Sequence, residues 1–336
     1  MPARTKKLIN HPDNILAEML EGYVAAYADI IQLQGDNLIT RATPKAAGKV
    51  ALVIGNGTGH EPAMIGWVGE GLFDVNVAGP IFTAPGPFEI LAGIKAADRG
   101  AGVLLCVSHH AGDRLNAEAA LEFAAEEGVD NVEIVILYDD VSSAPKGDEP
   151  KRRGTAGLFF TWKMLGAFAE TGADLTACKA LAEKVRDNTR SLSMALDTCA
   201  SPLTGKLMFE LGDDEIEIGM GIHGEAGMYK GKLMSADETI DRMLPPILAD
   251  LPFASGDEVC VLINNAGSLT IMEMSILYRR VQQRLDEAGI RVHKAWMGQY
   301  ATTQEMAGFG LSLCRVDAQL KGLYDAPANG AFFKQV

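Results

Sequence analysis

Two apolar runs, each breaking into a glycine-bearing loop, constrain this chain more than any other feature. Ala51-Leu-Val-Ile54 runs into Gly55-Asn-Gly57-Thr-Gly59-His60-Glu61-Pro62, and Gly102-Val-Leu-Leu-Cys-Val107 into Ser108-His109-His110-Ala111-Gly112-Asp113-Arg114. Short apolar runs of this kind read as buried strands. In an α/β domain the carboxyl end of such a strand is where ligands bind. The rest of the pattern agrees: an amphipathic helix over 11–33, strands at 50–54, 74–79, 102–107 and 132–137, and helices near 61–70, 86–99, 114–127 and 157–171. A loop rich in proline, glycine and charge spans 139–153, and a long helical stretch covers 174–195. A second set follows, with strands at 216–219, 258–263, 290–297 and 311–316 and a helix at 270–288. The expectation is an α/β protein of two α/β domains, 1–188 and 189–336, each a central sheet flanked by helices.

Composition narrows the setting. With 48% hydrophobic and 22% charged residues the profile is that of a soluble globular protein, and no apolar run is long enough to span a membrane. Met1-Pro-Ala-Arg-Thr-Lys-Lys7 has no apolar signal core behind it, so a cytoplasmic location is expected. The cysteines at 106, 178, 199, 260 and 314 are odd in number and contain no Cys-x-x-Cys pair, which suits buried, reduced thiols. A formal net charge of -14 argues against a nucleic-acid surface.

The chemistry concentrates in glycine loops. Gly219-Met-Gly221-Ile-His223-Gly224-Glu225 places one imidazole among residues with little or no side chain, following the acidic run Asp213-Asp214-Glu215-Ile216-Glu217. Together with His60 and Asp113 it makes a set suited to general acid-base work on a hydroxylated substrate. Blander readings stand beside this one. The glycines at 55, 57 and 59 could serve a tight turn alone, and Asp113 could cap the helix that starts near 114. The 55–60 loop lacks both G-x-G-x-x-G spacing and a terminal Gly-Lys-Ser/Thr, so a nucleotide cradle is a weak reading. His109 and His110 have no third ligand at zinc-like spacing, and Asp213-Asp214-Glu215 reads as a solvated loop, so no metal is assigned to the chain.

Over about Lys6 to Pro327 the chain resembles the dihydroxyacetone kinase family in its substrate-binding K subunit. The resemblance is carried by Lys6-Lys-Leu-Ile-Asn10, the Gly-His-Glu-Pro core ending at Pro62, Gly112-Asp-Arg-Leu-Asn116, Arg153-Gly-Thr-Ala-Gly157, Glu210-Leu-Gly-Asp-Asp-Glu215, Gly219 to Glu225, Tyr278-Arg-Arg-Val281 and Met306-Ala-Gly-Phe309. It implies that His223 attacks the ketone carbon and holds the substrate as a covalent hemiaminal, which selects ketoses over glycerol-like alcohols. It implies further that Asp113 accepts the proton of the terminal hydroxyl and that His60 hydrogen-bonds the substrate oxygens. Gly57, Thr58, Gly59, Ser108 and His110 then line the substrate.

The family's usual Lys-Asn-Tyr-Thr-Gly-Asp is here Ser108-His109-His110-Ala111-Gly112-Asp113. Exchanging a long cation for a short hydroxyl opens room, which suits a four- or five-carbon ketose such as erythrulose as well as dihydroxyacetone. His109 or His110 is positioned in sequence to replace the lost cation. The resemblance also implies a homodimer and a separate nucleotide-binding L subunit that holds Mg-ATP, or Mg-ADP recharged by a phosphotransferase-system protein. This chain itself shows no phosphate cradle and is expected to bind no cofactor. The alternative is a ketose-binding sensor or co-regulator without turnover, and retention of Asp113 favours the kinase.

Overall fold

The computed structural model describes residues 6–336, which fall into two compact units. Residues 1–5, part of the segment that shows no apolar signal core, lie outside the described residues. One unit comprises Leu8–Leu137, Phe160–Val185 and Gly322–Val336, and the other Tyr138–Phe159 and Arg186–Lys321 with Lys6 and Lys7. The chain therefore passes between units at 7/8, 137/138, 159/160, 185/186 and 321/322, so each unit is assembled from several segments, whereas the sequence pattern predicts a single division, at 188/189.

The unit built on Leu8–Leu137 contains a six-stranded sheet in the order Ile31–Gln34, Leu38–Arg41, Val75–Ile81, Ala51–Thr58, Val103–Ser108, Val132–Leu137. The last four run parallel, and the first two form an antiparallel hairpin joined to strand 75–81. Parallel strands need crossovers, and helices Pro87–Ala97 and Ala111–Glu126 supply them. Ile90, Ile94, Ala117 and Ala120 on these helices close over Val53, Val77 and Leu105 on the strands. A second apolar centre forms around Trp67, which stacks on Phe333 with ring centroids 4.7 Å apart and meets Trp162 edge-on at 5.3 Å.

Two expectations in this unit fail for identifiable reasons. The helix expected over 11–33 ends at Ala26, because Ile31–Gln34 pairs with Leu38–Arg41 across a turn that Gly35 enters at φ +60. No α-helix occupies 61–70. Residues 62–69 are buried on all sides, which leaves no polar face, and a Cβ at Gly66 would lie 2.5 Å from Phe332. A turn and the short 3-10 helix Ile65–Trp67 stand there instead.

In the second unit the strand order is Tyr229–Lys232, Glu215–Ile218, Thr189–Asp197, Ala307–Arg315, Glu258–Asn265, Arg291–Gly298. All neighbours are antiparallel except the last pair, which helix Ile271–Glu287 connects. Helices Ala236–Asp250 and Ile271–Glu287 start with capping boxes, Ser235 with Glu238 and Thr270 with Glu273. They bury Ile240, Leu244, Leu277 and Val281 against Val261, Ile263, Phe309 and Leu311.

The helical stretch expected over 174–195 stops at Asp187, and Thr189–Asp197 is a central strand. Its serines are accommodated by pairing: Ser191 and Ser312, opposite each other on adjacent strands, share a 2.6 Å hydroxyl hydrogen bond. The acidic run before the glycine loop contributes to the sheet edge as well, since Glu215 pairs with Lys230 at 3.1 Å and Asp214 with Lys232 at 2.9 Å.

The five cysteines are buried and unbonded to one another, and among the described residues no helix is long and apolar enough to cross a membrane.

Candidate active site

Strands Ala51–Thr58 and Val103–Ser108 are parallel neighbours, so their carboxyl ends open on the same edge of the sheet. That register brings Gly57, Thr58, Gly59 and His60 to the edge that also receives Ser108, His110 and Asp113. The glycines are required by backbone packing. A Cβ at Gly57 would lie 2.5 Å from the Thr83 nitrogen, and one at Gly59, where φ is +100, would lie 2.6 Å from the Phe82 ring. Segment 82–83 thus fills the space the glycines leave. The Thr58 hydroxyl donates to the Gly79 carbonyl at 3.0 Å, so that donor ties two strands together.

His60 is 4% exposed, and its ring lies 5.0 Å from that of Phe82. The neighbouring Glu61 carboxylate accepts the Gly59 N–H at 2.9 and 3.2 Å, and burial raises its pKa above the ordinary carboxyl value. Ser108 ends its strand fully inside, and the His109 N–H continues the ladder to the Leu137 carbonyl at 2.9 Å. His110 is the N-cap residue of helix Ala111–Glu126, by its extended backbone and without a side-chain cap bond. Asp113 accordingly is not the cap. It sits in the first turn, 8% exposed, at the helix end whose partial positive charge favours a carboxylate.

His223 belongs to the other unit, on a loop fixed at several points. Gly219 and Gly224 adopt φ of +86 and +83, which turns the chain back so that the Gly221 N–H donates to the Glu225 carbonyl at 2.9 Å. The Thr303 hydroxyl donates to the Ile222 carbonyl at 2.7 Å. Arg153 spans the base of the loop: its Nε donates to Asp140 at 3.0 Å and its Nη2 to the Gly219 carbonyl at 3.0 Å. The His223 N–H donates to Glu225 Oε2 at 2.9 Å, and the imidazole Nδ1 lies 3.6 Å from Oε1. Burial pushes the Glu225 carboxyl up, but the His223 ring and the backbone N–H groups outweigh it and hold the group well below the usual range.

His223 is legible from the sequence, but the groups that fix it are not. Glu225 and Arg153 were visible only as parts of motifs, and the signal for Glu225 was its place two residues beyond the histidine, across a glycine.

The Dak1 domain family matches residues 21–332. The dihydroxyacetone-binding subunit of a phosphotransferase-system-dependent dihydroxyacetone kinase from Listeria innocua is 41% identical over 313 residues, 93% of this chain and 94% of that one. An L-erythrulose kinase from Pectobacterium atrosepticum is 36% identical over 98% of this chain but only 56% of its own length. Among solved structures, the dihydroxyacetone kinase of C. freundii in complex with AMP-PNP and Mg2+ superimposes with a TM-score of 0.89 at 29% identity, covering 98% of this chain and 61% of that one. A dihydroxyacetone kinase operon co-activator gives 0.87 at 29% identity, covering 94% and 97%.

Proposed function

The chain belongs to the Dak1 domain family, and from that premise we propose that it is the ketose-binding K subunit of a dihydroxyacetone-type kinase. His223 adds to the ketone carbon and holds the sugar as a hemiaminal, so the site selects carbonyl compounds by bond formation. Asp113 takes the proton of the terminal hydroxyl as that oxygen attacks the γ-phosphate, and His60 hydrogen-bonds the substrate oxygens. Backbone at Gly57 and Gly59, with Thr58, Ser108 and His110, lines the substrate. The observation that carries the reading is the His223 loop, in which an imidazole stands beside an ionised carboxylate on a backbone fixed by Arg153 and Thr303. A buried Asp113 and His60 at one sheet edge supply the base and the hydrogen-bonding partner.

The triphosphate belongs to an L subunit carrying Mg-ATP, or Mg-ADP recharged by a phosphotransferase-system protein, and this chain binds no cofactor itself. The K subunit works in the cytoplasm as a homodimer. Its substrate is dihydroxyacetone or a four- or five-carbon ketose, and the likeness to an erythrulose kinase supports including the longer sugars.

A second reading, a ketose-binding co-regulator without turnover, is favoured by the likeness to the operon co-activator over nearly its full length. Asp113 separates the two, since a sensor needs the adduct but not the base. The test offers C3 to C5 ketoses to the purified chain, with adducts read by intact mass and turnover by phosphate transfer after addition of an L subunit and Mg-ATP. Adduct with turnover is expected. Adduct without turnover would establish the co-regulator, and no adduct with any ketose would refute both.

A further inference from the structure

An imidazole can present either ring nitrogen to a carbonyl carbon, and the position of its single proton decides which one holds the lone pair. Beside His223 the deciding group is Glu225. Its Oε2 accepts the His223 backbone N–H at 2.9 Å, which leaves Oε1 toward Nδ1 at 3.6 Å. The carboxylate fits because Gly221 has no side chain: a Cβ there would lie 2.1 Å from Oε2 and 2.4 Å from Arg153 Nη1. Arg153 Nη1 stands 3.9 Å from Oε2, and Asp140 and the Gly219 carbonyl hold that guanidinium in place. An ionised carboxylate accepts hydrogen bonds and cannot donate them, so the ring nitrogen facing it is the protonated one.

We propose that Glu225 is a positioning residue: it keeps the proton of His223 on Nδ1, so that Nε2 carries the lone pair that adds to the ketone. The proposal rests on the reading of His223 as the nucleophile. As the Nε2–C bond forms, the carbonyl π pair moves to oxygen, which takes a proton from solvent. The ring becomes positively charged, and loss of the Nδ1 proton to solvent completes a neutral hemiaminal. The Glu225 carboxylate lies where that transient positive charge develops, and Arg153 keeps it there without occupying the ring nitrogen.

The test uses the full chain labelled with nitrogen-15 at histidine, the His223 signals being those lost in His223→Ala. The native ring is expected in the Nδ1–H form. Glu225→Gln retains an oxygen for the His223 N–H but turns an amide donor toward the ring. It is expected to shift the ring toward the Nε2–H form and slow adduct formation with dihydroxyacetone by up to about 10⁴-fold, the loss a misplaced tautomer causes in a serine-histidine-aspartate triad. Its thermal midpoint should stay close to native, and Glu225→Asp should recover part of the rate.

A native ring in the Nε2–H form, or adduct formation by Glu225→Gln at the native rate, overturns the proposal. A native chain that holds the Nδ1–H form and takes up no ketose bears out the tautomer assignment and refutes the nucleophile.

Discussion

Asp250 receives both arms of Arg152, Nη1 at 2.8 Å and Nη2 at 2.6 Å, with the guanidinium 1% and the carboxylate 9% exposed. Arg190 reaches the same carboxylate from strand 189–197. Removing the anion by Asp250→Ala would leave two nearly buried cations facing each other. The expected cost is about 3–5 kcal/mol, the range for breaking a buried pair, read by urea unfolding at neutral pH. Burial works against ionisation of Asp250, but the arginines hold its pKa below the ordinary value. Its contribution is therefore present above the unfolded-state pKa and is lost as pH falls through the folded one.

Asp139 behaves in the opposite sense. Complete burial raises its pKa to about 6, although the Thr155 N–H and hydroxyl and the Gly157 N–H all donate to it. A group raised in the folded state stabilises most when protonated. Its contribution is full below the unfolded value of about 3.9 and fades as pH rises through about 6. Asp139→Asn should remove that fall, on the order of 3 kcal/mol between pH 4 and 6, from the stability profile. The variant will be less stable overall, because its amide points donors at donors. The slope is the readout, and an unchanged slope in chemical denaturation would show that Asp139 stays ionised throughout.

These two aspartates also show where the sequence is legible. The parallel strands and their carboxyl-end loops could be read because buried apolar runs end in glycine, and that placed His60, Ser108 and Asp113 on one edge. Helix Ala236–Asp250, which ends in Asp250, opens on the Ser235–Glu238 capping box but carries Pro245 and Pro246, and the sequence pattern predicts no helix there. Those prolines break the pattern on which helix recognition depends. Residues 189–195 fall in the expected helical stretch because Ser-Leu-Ser-Met-Ala-Leu suits either period, and only pairing with Ala307–Arg315 decides. The partner of His223 could not be read for a similar reason. It depends on Gly224 at φ +83, a backbone angle that composition does not state.

His223→Ala should abolish ketose retention and leave the fold intact, since the side chain is 28% exposed and the loop is held by backbone bonds and by Arg153. Intact mass after incubation with dihydroxyacetone checks the first point and the thermal midpoint the second. Native retention by the variant would remove covalent binding from the mechanism.

Asp113→Asn should separate binding from transfer. The amide fits the same first-turn position of helix Ala111–Glu126 but cannot take a proton, and loss of a general base costs on the order of 10²–10⁴-fold in rate. Adduct formation should persist. Full turnover with a competent L subunit would leave Asp113 a role in the helix terminus alone.

Ser108 should set the size of the sugar. It is the last residue of strand Val103–Ser108, 2% exposed, on the edge shared with His60 and Asp113, and it stands where the resembled family has a lysine. Ser108→Lys places a long cation where the native chain has a short hydroxyl. It should shift preference toward dihydroxyacetone and away from a four- or five-carbon ketose by roughly 1–3 kcal/mol, the range for one group gained or lost in a pocket. The native chain should prefer the longer sugar. His110 is the N-cap residue two positions on, and if it stands in for the family's lysine the effect of Ser108→Lys should be larger when measured against His110→Ala than against the native chain. Competition kinetics with dihydroxyacetone and erythrulose on the native chain and the single and double variants measure this, and a native preference for dihydroxyacetone would show that the serine does not mark a larger substrate.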